Sequence, residues 1–121
     1  MNLTDEMPDF SYLQMVSKGN KDFELVLIQS TLKSIEENLL KMQDGISILD
    51  PNTVKKAAHA MKPLFAIAGT KKLQHQCNEL DQMQTNQQEK SLFIRMAQEI
   101  IDYWKTYQMK LQDYFPGINN S

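Results

Sequence analysis

The sequence predicts an all-α protein: one antiparallel up-and-down four-helix bundle with a short extra helix at its N-terminal end. The chain has 121 residues, of which 41% are hydrophobic and 23% charged, which is an ordinary composition for one globular domain. Only four glycines and four prolines interrupt it, too few for a fold of many short strands and turns. Apolar residues recur at three- and four-residue spacing over long stretches, as they do on the buried face of a helix.

The first two helices are expected to begin at polar capping residues. Asp9 is placed to cap a short helix that ends before Gly19, and its apolar residues are Phe10, Leu13 and Val16. Asn20 then opens a long helix to about Asp44. Its apolar residues at helical spacing are Leu25, Ile28, Leu32, Ile35, Leu39 and Met42. Gly45 fits the left-handed residue that ends many helices.

The third and fourth helices are predicted from their start and stop signals. Asp50-Pro51 is a strong start, because Asp caps well and proline suits the first helical position. This third helix is expected to run to about Ala68 and to stop at Gly69. The fourth helix follows from about Thr70, with three residues directed inward: Leu73, Cys77 and Leu80.

The last helix is expected after a cap at Thr85-Asn86, with Gln88 and Glu89 at capping-box distance, and Pro116-Gly117 ends it. Its inward residues are Phe93, Met96, Ile100, Trp104, Tyr107 and Leu111. The connections are only a few residues long, as between antiparallel neighbours in a bundle. Residues 1–121 therefore form one domain, with residues 1–8 and 116–121 as flexible ends.

Composition excludes several classes of function. A formal net charge of −2 does not suit a general nucleic-acid binder. No apolar run approaches the roughly 20 residues that span a bilayer, and the acidic N-terminus is no secretory signal. The single cysteine, Cys77, lies on an apolar stripe and is expected to be an inert buried thiol. We therefore expect a cytoplasmic domain without membrane insertion, nucleic acid or a metal site.

One stripe of the third helix stands out on a helical wheel. Lys55, His59, Lys62 and Ala66 share it, at the border between core and solvent. His59 is therefore expected to be exposed, with a lysine one turn before it and another one turn after it. Ala66 leaves a flat place two turns on. The core-facing stripe of the same helix is Val54, Ala58, Met61, Phe65 and Ala68.

Positive charge gathers around this histidine in an acidic protein. No acidic residue lies between Asp50 and Glu79. That stretch instead contains five lysines: Lys55, Lys56, Lys62, Lys71 and Lys72. Such a field suits an anion bound at His59 or the approach of an acidic partner.

Pro63 is unusual because it lies inside the predicted helix. It has no N–H to donate to the carbonyl of His59, which predicts a local bend or a solvated carbonyl there. A broken local rule beside a candidate reactive residue favours a functional site, because such violations concentrate at sites.

Simpler interpretations stay open. An exposed histidine is usually a plain surface residue, and this is the interpretation for His75. The chain could be a helical adaptor that binds a partner without chemistry. It could also be a small α-helical enzyme with His59 as general base, but this needs an orienting carboxylate. Within ten residues upstream of His59 the only candidate is Asp50.

The segment from Ala57 to Gly69 resembles the signature of histidine phosphotransfer (HPt) domains. After an Ala-His pair it has Lys62 three residues beyond the histidine, a small residue at Ala66 and a glycine at Gly69. Pro63 departs from the glycine that is commoner there. Phe10-Ser11-Tyr12-Leu13 with Gly19-Asn20, and Cys77-Asn78-Glu79-Leu80-Asp81, are similar to the family's first and fourth helices, so the resemblance covers essentially the whole chain.

The resemblance implies a phosphoryl carrier in a multistep two-component phosphorelay. His59 would accept the phosphoryl group through its ε nitrogen, and Lys62 would stabilise that group. The residues implied for partner docking are Lys55, Lys56, Pro63, Ala66 and Gly69. The partners would be response-regulator receiver domains and a hybrid sensor histidine kinase. The chain would be a monomer that needs no cofactor, since Mg²⁺ belongs to the receiver, and without an ATP-binding motif it would not act as a kinase.

Overall fold

The computed structural model describes residues 6–84 and 90–116, and all regular structure in these two ranges is helical. The helices are α1 Ser11–Ser17, α2 Lys21–Ser47, α3 Pro51–Ile67, α4 Lys71–Gln82 and α5 Lys90–Tyr114. Helix α2 packs on α3, α3 on α4, α4 on α5 and α5 on α2, while α1 lies against α2 and α3. The prediction of an all-helical fold is confirmed. Over the described ranges no helix combines the length and the apolar character needed to cross a membrane.

The core is a single cluster of apolar side chains contributed by all five helices. At its centre the rings of Phe65 and Trp104 lie 5.5 Å apart, and Tyr107 packs on Trp104. Most of the side chains predicted to point inward are buried. In α5 the exception is Met96, which is only half-buried and packs at the edge of the core. In α1 Leu13 is buried, whereas Val16 is exposed.

The prediction for the first turn of α2 is wrong by one residue. Leu25 is 39% exposed, whereas Glu24 is only 5% exposed. On the helical wheel Glu24 falls inside the arc set by the buried residues farther along α2, and Leu25 falls beyond its edge. The buried carboxylate of Glu24 lies 3.3 Å from the Lys21 amine. Hydrophobicity alone therefore misplaced the start of this face, because the helix geometry decides which residue turns inward.

Gly45 does not end α2 as predicted. The helix continues to Ser47, and the left-handed residue in this connection is Leu49, with φ 54°. Gly45 is buried, and a Cβ atom there would lie 2.8 Å from Cγ2 of Val54 and 3.0 Å from its backbone nitrogen. The absence of a side chain at residue 45 thus allows the start of α3 to approach α2 closely.

Side-chain caps begin three of the helices at the starts that the sequence predicts. Asn20 accepts from the N–H of Phe23 at the start of α2, and Asp50 accepts from the N–H of Asn52 at the start of α3. The hydroxyl of Thr70 accepts from the N–H of Leu73 at the start of α4. Asp9 accepts from the N–H of Ser11, the first residue of α1. The predicted caps at Thr85-Asn86, with Gln88 and Glu89, and the stop at Gly117 lie outside the described residues.

The connection between α3 and α4 is buried and joined to other parts of the chain. Ala68, Gly69 and Thr70 are all buried. The Tyr107 hydroxyl of α5 donates to the Ala68 carbonyl at 2.7 Å, and the N–H of Asp9 donates to the Gly69 carbonyl at 2.9 Å. Burial, the largest effect, raises the pKa of Tyr107 well above its ordinary value. This hydroxyl therefore stays a hydrogen-bond donor.

Glu6 belongs to the segment that the sequence predicts as a flexible end, and it makes four hydrogen bonds with residues at the start of α4 and in α5. Its carboxylate accepts from the Thr70 hydroxyl at 2.8 Å, from the N–H of Lys72 at 3.1 Å and from the Tyr103 hydroxyl at 2.6 Å. Its carbonyl accepts from the Lys110 amine at 2.8 Å. A carboxylate at the first turn of α4 is also favoured by the helix dipole. These contacts tie the N-terminal segment to α4 and α5.

Two glycines with the same backbone conformation allow a test of how closely Asp9 packs against the α3–α4 connection. Gly19 and Gly69 both have φ 79°, but a Cβ atom at residue 19 would touch nothing, and one at residue 69 would lie 2.9 Å from the Asp9 carbonyl oxygen. We expect Gly19→Ala to cost about 1 kcal/mol for the left-handed conformation alone. Gly69→Ala should cost about 2–4 kcal/mol, because overpacking adds about 1–3 kcal/mol. Urea unfolding of both variants measures the difference, and equal losses would contradict the close approach of Asp9.

Candidate functional site

His59 lies on the outer face of α3, and 69% of its side chain is exposed. The helical wheel placed it correctly: the predicted core stripe, Val54, Ala58, Met61, Phe65 and Ala68, is buried on the opposite side. Of the other residues on the His59 stripe, Lys55, Lys62 and Ala66 are half-buried. The stripe therefore lies at the border of the core, and the histidine is its most open member.

The Asp81 carboxylate of α4 contacts Nδ1 of the His59 ring. Oδ2 of Asp81 lies 2.8 Å from Nδ1 of His59 and 2.7 Å from Nζ of Lys62. The Asp81 side chain is 20% exposed and that of Lys62 is 25% exposed, so the contact is partly shielded from water. The acid-free surroundings that the sequence suggested for His59 are thus corrected, since the fold brings in an acid from 22 residues downstream.

The charge state of Asp81 fixes the tautomer of the ring. The Lys62 amine first, and then the His59 ring, lower the pKa of Asp81 below its ordinary value of 3.8. The carboxylate is therefore ionised at neutral pH and can only accept hydrogen bonds, so the proton of a neutral His59 must be on Nδ1. Nε2 then carries the free lone pair, and it lies on the outward edge of an exposed ring. The arrangement presents a nucleophilic nitrogen to solvent.

Most of the predicted lysine field is already paired. Lys55 donates to the Met83 carbonyl at 2.7 Å, and Lys62 binds Asp81. Lys71 lies 3.2 Å from Asp9, and Lys72 lies 4.4 Å from the centre of the Tyr103 ring. Lys56 is exposed and has no hydrogen bond or ion pair within residues 6–84 and 90–116. The net positive charge near His59 is smaller than the number of lysines suggests, because carboxylates neutralise Lys62 and Lys71.

Two depressions flank His59 along α3. One is lined by Asn52, Lys55, Lys56, His59 and Asp81. The other lies between α1 and the end of α3, and its lining includes Tyr12, Pro63 and Ala66. Helix α3 is continuous through Pro63, which is exposed. Ala66 is half-buried in the floor of the second depression, where the sequence predicted a more open position.

Gly69, which the resemblance implies as a docking residue, also lines the second depression. It is buried under Asp9, and its positive φ and the close backbone contact account for the glycine. Gly69 therefore shapes the connection between α3 and α4 and offers no exposed side-chain position to a partner.

Within the described residues neither the second histidine nor the cysteine forms a hydrogen bond with His59, Lys62 or Asp81. Nε2 of His75 is 2.6 Å from a Glu79 carboxylate oxygen, one turn along the exposed face of α4. Cys77 is buried as predicted, and burial, the largest effect, raises the pKa of its thiol to about 12, which disfavours the reactive thiolate. Within the described residues no three His, Cys, Asp or Glu side chains are grouped to hold a metal ion.

Comparison of the chain with protein-family models, curated proteins and solved structures finds no match. Function is therefore inferred from the residues of the site. These residues provide an exposed imidazole, a carboxylate and a lysine that orient it, and two depressions beside it.

The two histidines should differ in tautomer, because carboxylates contact opposite ring nitrogens: Nδ1 of His59 and Nε2 of His75. Asp81→Ala should remove the preference for Nδ1–H at His59 and leave His75 unchanged. Glu79→Ala is the matched control and should change only the signals of His75. Nitrogen-15 NMR of the imidazole rings above pH 7 measures both. A His59 tautomer that is insensitive to Asp81→Ala would contradict the orienting role of Asp81.

Proposed function

We propose that the protein is a histidine phosphotransfer carrier. It accepts a phosphoryl group on His59 from the aspartate of one receiver domain and passes it to the aspartate of another. The observation that carries the proposal is the contact between Asp81 and Nδ1 of His59, which leaves Nε2 exposed as the nucleophile. The resemblance around Ala57–Gly69 supports the same function, as does the packing of α2, α3, α4 and α5 around one core. In the proposed HPt-like bundle these four helices run up and down.

The transfer step needs little from this chain beyond its imidazole. The Nε2 lone pair attacks phosphorus, the bond between phosphorus and the aspartyl oxygen breaks, and its electron pair leaves with the carboxylate. The proton on Nδ1 stays in place, and the Asp81 carboxylate stabilises the positive charge that the ring gains. Transfer to the next receiver reverses these steps. Mg²⁺ belongs to the receiver domain, and the carrier binds no ATP.

The depression beside Pro63 and Ala66 is the proposed docking place for the receiver. It lies one to two turns beyond His59 on the same face of α3, and Tyr12 of α1 forms its other side. Its small and apolar residues let a loop of the partner come close to the helix. The proposed partners are receiver domains of response regulators and of a hybrid sensor histidine kinase. The proposed location of the protein and of these partners is the cytoplasm.

A second candidate function is a small enzyme with His59 as general base. The pair of His59 and Asp81 favours it, because a carboxylate that orients an imidazole is the usual arrangement of such a base. In the sequence, no suitable carboxylate lies shortly upstream of His59. The structure supplies one from downstream, because Asp81 contacts the His59 ring. The two functions differ in outcome, since only the carrier retains a covalent phosphoryl group. A plain helical adaptor would retain none with any receiver domain.

His59→Gln should abolish labelling by a phosphorylated receiver domain and keep the fold, because the side chain is exposed and Gln is a good helix former. The label on the wild-type protein should be acid-labile and alkali-stable. His75→Gln is the matched control, since His75 is equally exposed on the neighbouring helix, and it should label as the wild type does. Labelling that survives His59→Gln and disappears in His75→Gln would move the site to α4.

Ala66→Leu tests the docking depression apart from the chemistry. The larger side chain should fill part of the depression and change the free energy of unfolding by less than about 1 kcal/mol. It should hold the receiver away from His59 and slow transfer by roughly 100-fold, because a misplacement of about 1 Å has an effect of that size. Labelling by phosphoramidate, a small donor, should not change. An unfolding temperature lowered by many degrees would instead show that residue 66 cannot accept a larger side chain.

A further inference from the structure

The two lysines on the α4 side of His59 are bound to groups of α4. Lys62 donates to the same Asp81 oxygen that contacts His59, and Lys55 donates to the Met83 carbonyl. On the helical wheel Lys55 and Lys62 lie on one side of His59, and Lys56 lies on the other. A lysine that already neutralises a carboxylate has less net charge to offer to a second anion.

Lys56 is the uncommitted cation of the site. It lies three residues before His59, a spacing that makes two side chains neighbours on a helix surface. It is exposed, and within the described part of the chain it has no hydrogen bond or ion pair; its charge acts only at longer range on Asp50, where it is a minor cause of a lowered pKa. Lys56 and His59 line one depression together with Asn52, Lys55 and Asp81.

The orientation of the imidazole ring directs a group on Nε2 away from α4. Nδ1 points to Asp81, and the two nitrogens lie on different edges of the ring. A phosphoryl group on Nε2 therefore extends away from the contact between Asp81 and Lys62. This direction also separates the phosphoryl group from the Asp81 carboxylate, whose negative charge would repel it. The Lys62 amine and the Nδ1 proton of His59 already bind that carboxylate.

We propose that Lys56, and not Lys62, is the cation that stabilises the phosphoryl group on His59, with the Asn52 amide as a further donor in the same depression. Lys62 then acts as a positioning residue, because it holds Asp81 in place to orient the ring. This assignment rests on the proposed carrier function, and it differs from the role that the resemblance implies for Lys62.

Phosphoramidate tests the assignment without a receiver domain. In this reaction the phosphorus–nitrogen bond of the donor breaks, ammonia leaves, and phosphorus binds Nε2, while the Nδ1 proton stays on the ring. The rate of phosphohistidine formation and the lifetime of the product can be followed by phosphorus-31 NMR. The proteins are the wild type, Lys56→Ala, Lys62→Ala and a control, Lys41→Ala. Lys41 is an exposed lysine of α2, so the control removes the same charge elsewhere.

Lys56→Ala should form phosphohistidine about 3- to 10-fold more slowly than the wild type at low ionic strength, since an exposed charge-assisted contact is modest. Lys56→Arg should restore most of the rate, and Lys41→Ala should match the wild type. Lys62→Ala should alter the nitrogen-15 signals of the His59 ring, which Lys56→Ala leaves unchanged. If Lys56→Ala equals the control, and Lys62→Ala slows the reaction without a change in the ring signals, the phosphoryl cation is Lys62 and the proposal is wrong.

The same experiment separates this proposal from the carrier function. Wild-type protein that phosphoramidate labels on His59, but that no phosphorylated receiver labels, would contradict the carrier function alone. The comparison of Lys56→Ala with Lys62→Ala still decides which lysine faces the anion in that case. Wild-type protein without phosphate on His59 after phosphoramidate treatment would overturn the assignment of Lys56.

Discussion

The structure depends on the buried connection between α3 and α4. The Ala68 carbonyl accepts a hydrogen bond from α5, and the Gly69 carbonyl accepts one from the N-terminal segment. The Thr70 hydroxyl donates to Glu6 and also caps the start of α4. Gly69 makes this possible, because any side chain there would collide with the backbone of Asp9. With the connection fixed, α4 returns along α3, so that Asp81 reaches His59 and Met83 reaches Lys55. The candidate site is thus a product of how two helices are joined.

Much of the fold could be predicted from local signals in the sequence. Asn20, Asp50 and Thr70 mark helix starts through contacts within three residues, which a sequence shows directly. The errors occurred where packing between elements decides the structure. Gly45 predicts a helix end because a glycine often ends a helix, but in the structure it leaves space for Val54. The contacts of Glu6 could not be predicted either, because its four partners lie far away in the sequence.

The candidate site was predictable only in part for the same reason. The exposure of His59 follows from the period of one helix, and the sequence was sufficient for it. Asp81 belongs to a segment that resembles the family's fourth helix, but nothing within α3 reveals that it contacts Nδ1 of His59. The contact between Asp81 and His59 follows from the register of the two helices. Helices α3 and α4 are joined by a short connection at Gly69, so residues roughly equidistant from that connection face each other. The pairing of four lysines likewise depends on neighbours from other elements, which a charge count does not contain.

The contacts of Asp81 and the contact of Glu6 with Tyr103 differ greatly in the length of chain that they close. Asp81 is 22 residues from His59 and 19 from Lys62, whereas Glu6 is 97 residues from Tyr103. Shorter loops cost less entropy to close, so the contacts of Asp81 cost less loop-closure entropy than the contact of Glu6 with Tyr103. The contact that orients the ring joins only α3 and α4, whereas the Tyr12 side of the depression beside Pro63 and Ala66 belongs to α1. The shape of the depression beside Pro63 and Ala66 and the orientation of the His59 ring can therefore change independently.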